Sequence, residues 1–364
     1  MRAALPDPLR FADGSRVRGT ADWERRRLEI QGLFETHVYG AVPSGSVQSR
    51  VEVLEAAGSV VTGSTQKRVR IALDGPAGSS TIDVALFVPQ VESPPPVFLL
   101  LNNREPACAQ AATAGDAFWP VERILQRGYA TAAIDLLQVA PDRPDAFSQG
   151  VFRLFGGART DGSWGVIAAW AWGARRAADY LCSESAVDGS RLAVVGHSRG
   201  GKTALWAGAN DSRFGIVVSN ESGSTGAAVA RDKRGERIAD INRTFPHWFC
   251  SNYRRYDGRE HELPVDQHEL LALVAPRPIY VASAAEDEWA DPESEFRACV
   301  EAEPVYRLLG RAGLESSDFP AVGRPLHGGA IAYHVRSGGH DLLESDWTHF
   351  LDYADLRWRR SGTP

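Results

Sequence analysis

The sequence predicts an α/β protein with a mostly parallel central sheet, antiparallel strands at the N-terminal side and helices on both faces. Residues 51–88 contain three runs in which apolar and polar residues alternate, as in antiparallel strands with one face in water. From residue 97 onward, unbroken apolar runs alternate with helical patterns, which is typical of parallel strands covered by helices. No internal repeat or clear linker divides the 364 residues, so we expect one domain, with an N-terminal part over 1–96 and a core over 97–364.

The N-terminal part begins with a helix predicted over 22–39. Trp23, Ile30 and Phe34 fall near one face of this helix, and Gly40 ends the pattern. Three strands follow, and the alternating residues that we expect to face the core are Val51 and Val53; Val69, Ile71 and Leu73; and Ile82, Val84, Leu86 and Val88.

The core continues the alternation of strands and helices to the end of the chain. Strands are predicted over 97–101, 130–136, 192–195, 214–219, 279–284 and 331–335. Helices are predicted over 120–127, 164–181, 202–209 and 347–356.

Composition and charge exclude several classes of protein. Lys and Arg total 40 and Asp and Glu total 46, which leaves a net charge of −6 and excludes a generally basic protein that coats nucleic acid. No window approaches the roughly 18 apolar residues of a membrane span, so we expect no membrane partner. The N-terminus carries no signal-peptide pattern. As written, the chain is expected to be cytoplasmic, unless it is an exported mature form that has lost its leader.

A short motif between a predicted strand and a predicted helix points to nucleophilic catalysis. Residues 196–200 read Gly-His-Ser-Arg-Gly, which matches the Gly-x-Ser-x-Gly nucleophile elbow. In such a tight turn the flanking residues must be small, and the Ser198 hydroxyl is held out above the sheet edge. The Arg199 N–H begins the following helix, where unpaired amides favour negative charge, so it can donate to an oxyanion.

The same segment also matches a phosphate-binding loop, because Gly196 is followed after four residues by Gly201-Lys202-Thr203. That function needs a second carboxylate at a strand end to hold Mg²⁺, and Asp135 is the candidate. Asp135 precedes the loop, however, whereas nucleotide-binding domains more often open with it. A nucleotide-binding protein remains an alternative, as does a glycine-rich turn without function.

A serine hydrolase of this type needs an acid and then a histidine later in the chain. His340 directly follows the carboxyl end of the last strand, where α/β sheets place functional groups, and we favour it as the general base. His334 falls within the strand pattern and is expected to be a packed histidine. Asp287 and Glu221 both follow strands and either could accept the hydrogen bond from the base.

Together, several segments resemble the bacterial branch of the glucuronoyl esterases, carbohydrate esterase family 15. The resemblance covers Leu5 to Asp355. The segments that carry it are GHSRGGK (196–202), WAGA (206–209), VSNESG (218–223), GE (235–236), FPHWFC (245–250), LPVDQH (263–268), APRP (275–278), DEWADP (287–292) and the stretch 333–340.

The resemblance implies an α/β-hydrolase fold and cleavage of glucuronic acid esters, including the 4-O-methyl-glucuronoyl esters that join xylan to lignin alcohols. Some relatives are acetyl xylan esterases, which is the alternative activity. The implied nucleophile is Ser198 and the implied base His340. The implied roles of the other residues are Glu221 and Asp287 as alternative acids, Arg199 facing the oxyanion, and Lys202, Glu236 and Trp289 contacting the sugar.

The remaining expectations concern partners and departures from the family. We expect a carbohydrate ester as substrate, a monomer, and no cofactor or metal. Arg199 and Lys202 would form a cationic spot suited to an acidic sugar. Without the resemblance, Glu236 would be a surface residue in a charged run and Trp289 a wall residue. The loop 102–105 lacks the glycine-rich pattern of other second oxyanion donors, and Ser224 stands where many relatives have Cys.

Overall fold

The computed structural model describes residues 4–58, 61–104 and 116–358. Its strands are β1 (Gln48–Gly58), β2 (Ser64–Asp74), β3 (Ser79–Pro89), β4 (Pro96–Asn102), β5 (Ala130–Asp135), β6 (Asp188–His197), β7 (Phe214–Asn220), β8 (Ile279–Ala284) and β9 (Ile331–Arg336). They form one sheet in the order β1-β2-β3-β5-β4-β6-β7-β8-β9. The strands from β4 onward pair in parallel with one another, as expected from their apolar runs.

The N-terminal strands belong to this same sheet. β1, β2 and β3 pair antiparallel, and β3 continues antiparallel onto β5 through Val84 and Ile134. The alternating residues of β2 and most of those of β3 are buried, as predicted. The expectation for β1 is wrong, because Val51 and Val53 are exposed: β1 is the edge strand of the sheet and pairs on one side only.

Helices pack on both faces of the sheet. The α-helices are α1 (Thr20–Phe34), α2 (Val121–Gln126), α3 (Leu136–Val139), α4 (Val166–Ser183), α5 (Arg199–Asn210), α6 (Ile238–Thr244), α7 (Gln267–Ala272), α8 (Pro292–Leu308) and α9 (Glu344–Trp358). On one face α2 and α9 bury Ile124, Trp347 and Phe350, and on the other α1, α4, α5, α7 and α8 enclose the larger apolar core. The mixed α/β fold predicted from the sequence is therefore confirmed.

The predicted helices are present, and others were not predicted. The helix expected over 22–39 is α1 followed by a π-helical turn, Glu35–Tyr39, which ends at Gly40 with φ 79°. A Cβ on Gly40 would lie 2.5 Å from the Ser163 carbonyl oxygen, so only glycine fits there. The sequence pattern did not reveal α8, whose 17 residues include Pro304, a residue that disfavours helix interiors. Within the described part of the chain, each helix is too short or too polar to cross a bilayer.

Candidate active site

Ser198 occupies a strained turn between β6 and α5. Its backbone angles are φ 57° and ψ −124°, outside the regions that non-glycine residues normally adopt. The Ser198 N–H donates to the Asn220 carbonyl at 2.9 Å, which ties the turn to the end of β7. A Cβ on Gly196 would lie 2.0 Å from the Gly200 carbonyl oxygen. Glycine at position 196 is therefore required by the tightness of the turn, and the geometry is that of a nucleophile elbow.

The phosphate-loop alternative finds no support in the position of Lys202. Its side chain is 4% exposed and points into the protein, where Nζ donates to the carbonyls of Ser222 (2.5 Å) and Ser224 (2.6 Å). A lysine that binds phosphates must present its ammonium to the mouth of the loop. Asp135, the candidate Mg²⁺ ligand, accepts a hydrogen bond from Asn102 Nδ2 at 2.7 Å.

His340 lies in the loop after β9, where the sequence predicted the base. Its Nδ1 donates to Asp287 Oδ2 at 2.6 Å, and its side chain is 45% exposed. Its ring lies against that of His197, the residue before Ser198, with 4.5 Å between centroids. Among the described residues the Ser198 hydroxyl shares no hydrogen bond with the His340 ring, and such bonds often tighten only when substrate binds.

Glu221 is the second carboxylate at His340. It follows β7 with φ 45°, and its N–H donates to the Ala282 carbonyl at 2.7 Å, so the backbone is held against β8. Its Oε2 lies 3.4 Å from His340 Nδ1 and accepts the Asp341 N–H at 3.0 Å. The structure thus places both candidate acids, Glu221 and Asp287, close to Nδ1 of His340.

The two carboxylates differ in their proton affinity. Burial raises the pKa of Glu221 to about 7, although His340 and Arg336 oppose this rise. Burial acts in the same direction on Asp287, but the hydrogen bond from His340 holds the Asp287 pKa below its usual value. Partial burial lowers the pKa of His340, but the carboxylates of Asp287 and Glu221 raise it to about 9. Asp287 is therefore ionised at neutral pH, whereas Glu221, with a pKa of about 7, gains or loses its proton near neutral pH.

Arg336, at the end of β9, was not among the predicted residues. Its Nη2 donates to Glu221 Oε1 at 2.6 Å, and its Nε donates to the buried Asp346 at 3.1 Å. The same guanidinium also donates to the carbonyls of Gly339 (3.0 Å) and Asp341 (2.8 Å), on either side of His340. Arg336 therefore holds both Glu221 and the loop that carries His340. A charged residue ending a strand predicted to be buried was the signal in the sequence.

The Arg336 cation also bears on whether the acids could hold a metal. The ligand atoms of Glu221, Asp287 and His340 lie within 4.8 Å of one another, which is close enough for a shared ion. Arg336 already places a positive charge on Glu221, and His340 donates its proton to Asp287. A metal ion would have to displace both, so this donor set fits a hydrogen-bonded base rather than a metal centre.

Arg199 is fixed by groups that the sequence did not reveal. Its Nη2 donates to the Asn103 carbonyl at 3.0 Å, and its Nε lies 3.2 Å from Asp142 Oδ2. The other oxygen of Asp142 accepts from His247 Nε2 (2.7 Å) and Trp248 Nε1 (2.6 Å). Burial raises the pKa of Asp142, but these donors and Arg199 lower it below its usual value, so it remains a carboxylate. Asp142 therefore anchors the guanidinium of the residue that follows Ser198.

The loop expected to supply a second oxyanion amide is described only up to Arg104. Asn103 gives its carbonyl to Arg199, and its buried side-chain oxygen has no hydrogen-bond partner among the described residues. Glu105 lies outside the described residues.

The three residues expected to contact the sugar are near one another. Lys202 Nζ lies 3.9 Å from Glu236 Oε2, and the Glu236 N–H donates to the Trp289 carbonyl at 3.0 Å. The Glu236 side chain is 12% exposed, so the reading of it as a surface residue is wrong. The Trp289 side chain, in contrast, is open to solvent. The expected cationic spot needs correction too, because Arg199 and Lys202 each have a carboxylate nearby.

The histidines near the base have structural partners. His334 Nδ1 lies 2.9 Å from the Tyr280 hydroxyl, and its Nε2 lies 2.8 Å from Asp346. This confirms the expectation that His334 is a packed, satisfied histidine. Burial lowers the pKa of His197 to about 3, so this ring is neutral where it lies against His340.

Comparisons with known proteins identify the family of the chain. The family model described as glucuronyl esterase, fungi, matches residues 101–310. A carbohydrate esterase from an unknown prokaryotic organism is 36% identical, over 96% of this chain and 89% of its own length. A 4-O-methyl-glucuronoyl methylesterase of Wolfiporia cocos is 30% identical, over 84% of this chain and 72% of its own length.

Solved structures resemble the chain over nearly its whole length. A glucuronoyl esterase from Solibacter usitatus superposes with a TM-score of 0.90 at 37% identity, and 98% of each chain is covered. A promiscuous esterase of carbohydrate esterase family 15 from a marine bacterial metagenome superposes with a TM-score of 0.88 at 35% identity, covering 98% of this chain and 97% of that one. The chain therefore belongs to the glucuronoyl esterases of carbohydrate esterase family 15 and is a carboxylic ester hydrolase with the α/β-hydrolase fold.

Proposed function

We propose that this enzyme hydrolyses esters of glucuronic acid, with Ser198 as nucleophile, His340 as general base and Asp287 as the acid that orients it. The observation that carries the proposal is the 2.6 Å hydrogen bond from His340 to Asp287 beside the strained elbow of Ser198. An imidazole whose Nδ1–H is held by a carboxylate presents Nε2 as the basic nitrogen. That tautomer is the one able to take the serine proton.

The reaction proceeds through an acyl-enzyme. His340 Nε2 takes the proton of Ser198 Oγ as the oxygen attacks the ester carbonyl, whose π electrons move onto the carbonyl oxygen. Collapse of this oxyanion breaks the bond to the alcohol, which leaves with the proton from His340. A water molecule then repeats the sequence and releases the uronic acid, and Ser198 is regenerated.

Arg199 is assigned to the oxyanion. Its N–H lies in the first turn of α5, where backbone amides lack helical partners and the helix dipole favours negative charge. Its guanidinium is held in place by Asp142 and the Asn103 carbonyl, so little reorganisation is needed during the reaction. A donor fixed in this way favours the charged transition state over the neutral ester.

Of the three residues that the resemblance implies for sugar binding, Glu236 and Trp289 are assigned to the uronate ring. Glu236 can accept hydrogen bonds from sugar hydroxyls, and the exposed face of Trp289 can pack on the ring. Lys202 donates to two carbonyls and lies near Glu236, so we assign it mainly to fixing that carboxylate.

A panel of esters tests the proposed substrate class. We expect kcat/KM for benzyl and methyl glucuronate to exceed that for p-nitrophenyl acetate by about 100-fold or more, because a site built to hydrogen-bond sugar hydroxyls discriminates against analogues that lack them. Rates of acid release would be measured by titration, with acetylated xylan as a further substrate. Higher kcat/KM on the acetyl esters would contradict the proposal and identify an acetyl esterase instead.

A further inference from the structure

The loop that carries His340 has little packing of its own. It runs over residues 337–343, from the end of β9 to the start of α9. Its first three residues are Ser337-Gly338-Gly339, which have little or no side chain to bury. The His340 side chain is 45% exposed, so packing alone does not fix its position. The groups that hold the backbone of this loop therefore set where the imidazole lies.

Two charged side chains join the ends of this loop. Arg336 is the last residue of β9, and Asp346 lies in the first turn of α9. Arg336 Nε lies 3.1 Å from Asp346 Oδ2, and the two side chains are 8% and 0% exposed. Charges removed from water to this extent attract each other more strongly than charges at the surface, and each needs its partner. The ion pair therefore links the two elements between which the loop is strung.

Arg336 extends this link into the loop itself. Its Nη2 donates to the carbonyls of Gly339 (3.0 Å) and Asp341 (2.8 Å). These two residues flank His340 in the chain. A guanidinium is planar and its N–H groups form a rigid fork. Once Asp346 holds Nε, the directions of the remaining N–H groups are set, and with them the backbone on both sides of the imidazole.

Asp346 is itself held by three donors. Its Oδ1 accepts from His334 Nε2 at 2.8 Å, and its Oδ2 accepts the Leu343 N–H at 2.8 Å in addition to Arg336. His334 is fixed in turn, because its Nδ1 lies 2.9 Å from the Tyr280 hydroxyl on β8. Burial raises the pKa of Asp346, but the hydrogen bond from His334 and the Arg336 cation hold it below its usual value. Asp346 is therefore a carboxylate with one orientation.

We propose that Asp346 is a positioning residue for the esterase reaction, which fixes Arg336 and, through it, the backbone on either side of His340. The inference rests on the proposed function, because it takes His340 as the general base. Among the described residues, Asp346 shares no hydrogen bond or ion pair with His340, so its effect is transmitted by Arg336. Proton transfer needs the base within hydrogen-bond reach, and a small displacement of the imidazole slows it.

A role in the fold alone would have different consequences. Loss of one partner of a buried ion pair lowers stability whatever the function of the pair. If Asp346 only stabilised the fold, the molecules that remain folded would keep their kcat. A positioning role instead lowers kcat at nearly constant KM. It lowers kcat by the same factor on any ester, because every ester uses the same base.

The first test is Asp346→Asn, which keeps the shape of the side chain and removes its charge. The variant is assayed on benzyl glucuronate and on p-nitrophenyl acetate, at a temperature where thermal unfolding shows it to be folded. We expect kcat to fall about 10- to 100-fold on both esters, while KM changes less than about twofold. Asp346→Glu is the second variant, should Asp346→Asn not fold. It keeps the charge but displaces the carboxylate by one methylene, so kcat should still fall about threefold or more on both esters.

The second test asks whether the effect passes through Arg336. In an Arg336→Gln background, Asp346→Asn should lower kcat by less than about a further twofold, because the connection to the loop is already lost. Arg336→Lys takes the place of Arg336→Gln if the latter does not fold, with the same expectation. Lysine keeps the charge but lacks the rigid fork that orients the loop.

Asp211→Asn is the matched control. Asp211 is another buried acid, 7% exposed and 2.6 Å from Arg213, and it follows α5 at the opposite end of that helix from Ser198. We expect it to lower the unfolding temperature and leave kcat unchanged. Wild-type kcat in folded Asp346→Asn, a loss on only one ester, or an undiminished loss in the Arg336→Gln background would overturn the proposal. Failure of the proposed substrate class would appear instead in the wild type, as no turnover of benzyl glucuronate, and p-nitrophenyl acetate would still report the effect of Asp346.

Discussion

At the scale of single residues, the pair of acids at His340 is the feature that most needs explanation. Asp287 Oδ2 lies 2.6 Å from His340 Nδ1, whereas Glu221 Oε2 lies at 3.4 Å and is shared with the Asp341 N–H. Arg336 forms an ion pair with Glu221, whereas no Lys or Arg among the described residues does so with Asp287. We therefore infer that Asp287 supplies most of the charge that stabilises the imidazolium, and that Glu221 with Arg336 mainly holds the loop that carries His340.

The relative effects of removing each acid should reflect this asymmetry. Asp287→Asn is expected to lower kcat/KM for benzyl glucuronate by about 100-fold, less than the roughly 10⁴-fold loss in triads with a single acid, because Glu221 remains nearby. Glu221→Gln should lower kcat/KM less than Asp287→Asn does.

The proposed mechanism also predicts how activity depends on pH. A general base must be neutral to accept a proton, so with a His340 pKa of about 9 we expect activity to rise with pH up to that value.

Loss of the Asp287 charge removes part of what raises the His340 pKa, so the rising limb of the pH profile should move to lower pH in Asp287→Asn. Profiles of kcat/KM against pH for both variants and wild type measure this shift. A larger rate loss in Glu221→Gln at unchanged thermal stability, or a limb that does not move in Asp287→Asn, would contradict the assignment of Asp287.

The sequence predicted some of these residues and not others, for physical reasons. Ser198 and His340 follow strand ends, so local patterns located both. The choice between Glu221 and Asp287 depends on a difference of less than 1 Å between their distances to His340 Nδ1, which no sequence pattern encodes. Asp142 acts across a long stretch of chain from Arg199, through an ion pair that requires the folded backbone.

At the scale of elements, the turn between β6 and α5 carries the greatest constraint. Gly196 and Gly200 are in van der Waals contact across the turn, and Ser198 between them has a positive φ. The strain is maintained because the last six residues of β6 and most of α5, on either side of the turn, are buried.

Replacement of Gly196 by alanine should therefore be costly. The added Cβ would meet the Gly200 carbonyl oxygen at 2.0 Å, so the turn must open, and we expect Gly196→Ala to lose about 1–3 kcal/mol of stability together with most activity. Thermal unfolding and turnover of benzyl glucuronate measure both. Gly32→Ala is the matched control: a Cβ at Gly32 in α1 meets nothing within 4 Å, so its stability should be unchanged or slightly higher. Wild-type stability and activity in Gly196→Ala would contradict the elbow geometry.

Elements differ in how well the sequence predicts them. The apolar runs of β4, β8 and β9 predicted buried parallel strands, and each of these strands is buried along its whole length. For α8, the carboxylates Glu293, Glu295 and Glu301 obscure the apolar periodicity in addition to Pro304. One of these carboxylates, Glu295, is buried and accepts hydrogen bonds from Gly223 and Ser283, a role that only the fold reveals.

At the scale of the whole molecule, strand order assembles the site. The four strands β6, β7, β8 and β9 are neighbours in the sheet and parallel. Ser198, Glu221, Asp287 and His340 each follow one of them, so residues separated by up to 142 positions meet at one sheet edge. Functional groups at the carboxyl ends of parallel strands are the general expectation for such sheets.

The sequence predicted parallel strands but not their order. The alternation of strands and helices suggested that the functional groups share one edge, whereas the adjacency of β6 to both β4 and β7 follows from crossovers that hydrophobic patterns do not specify. This order places Asn103, after β4, next to Arg199, after β6. The sequence pattern therefore located Arg199 within the motif but did not predict its contacts.

Replacement of the nucleophile tests the central claim most directly. Turnover of benzyl glucuronate by Ser198→Ala would be compared with that of wild type, after thermal unfolding has shown that the variant keeps its fold. The proposed mechanism predicts a fall in kcat on the order of 10⁶-fold, because the attacking oxygen is lost. Wild-type kcat in Ser198→Ala would contradict it.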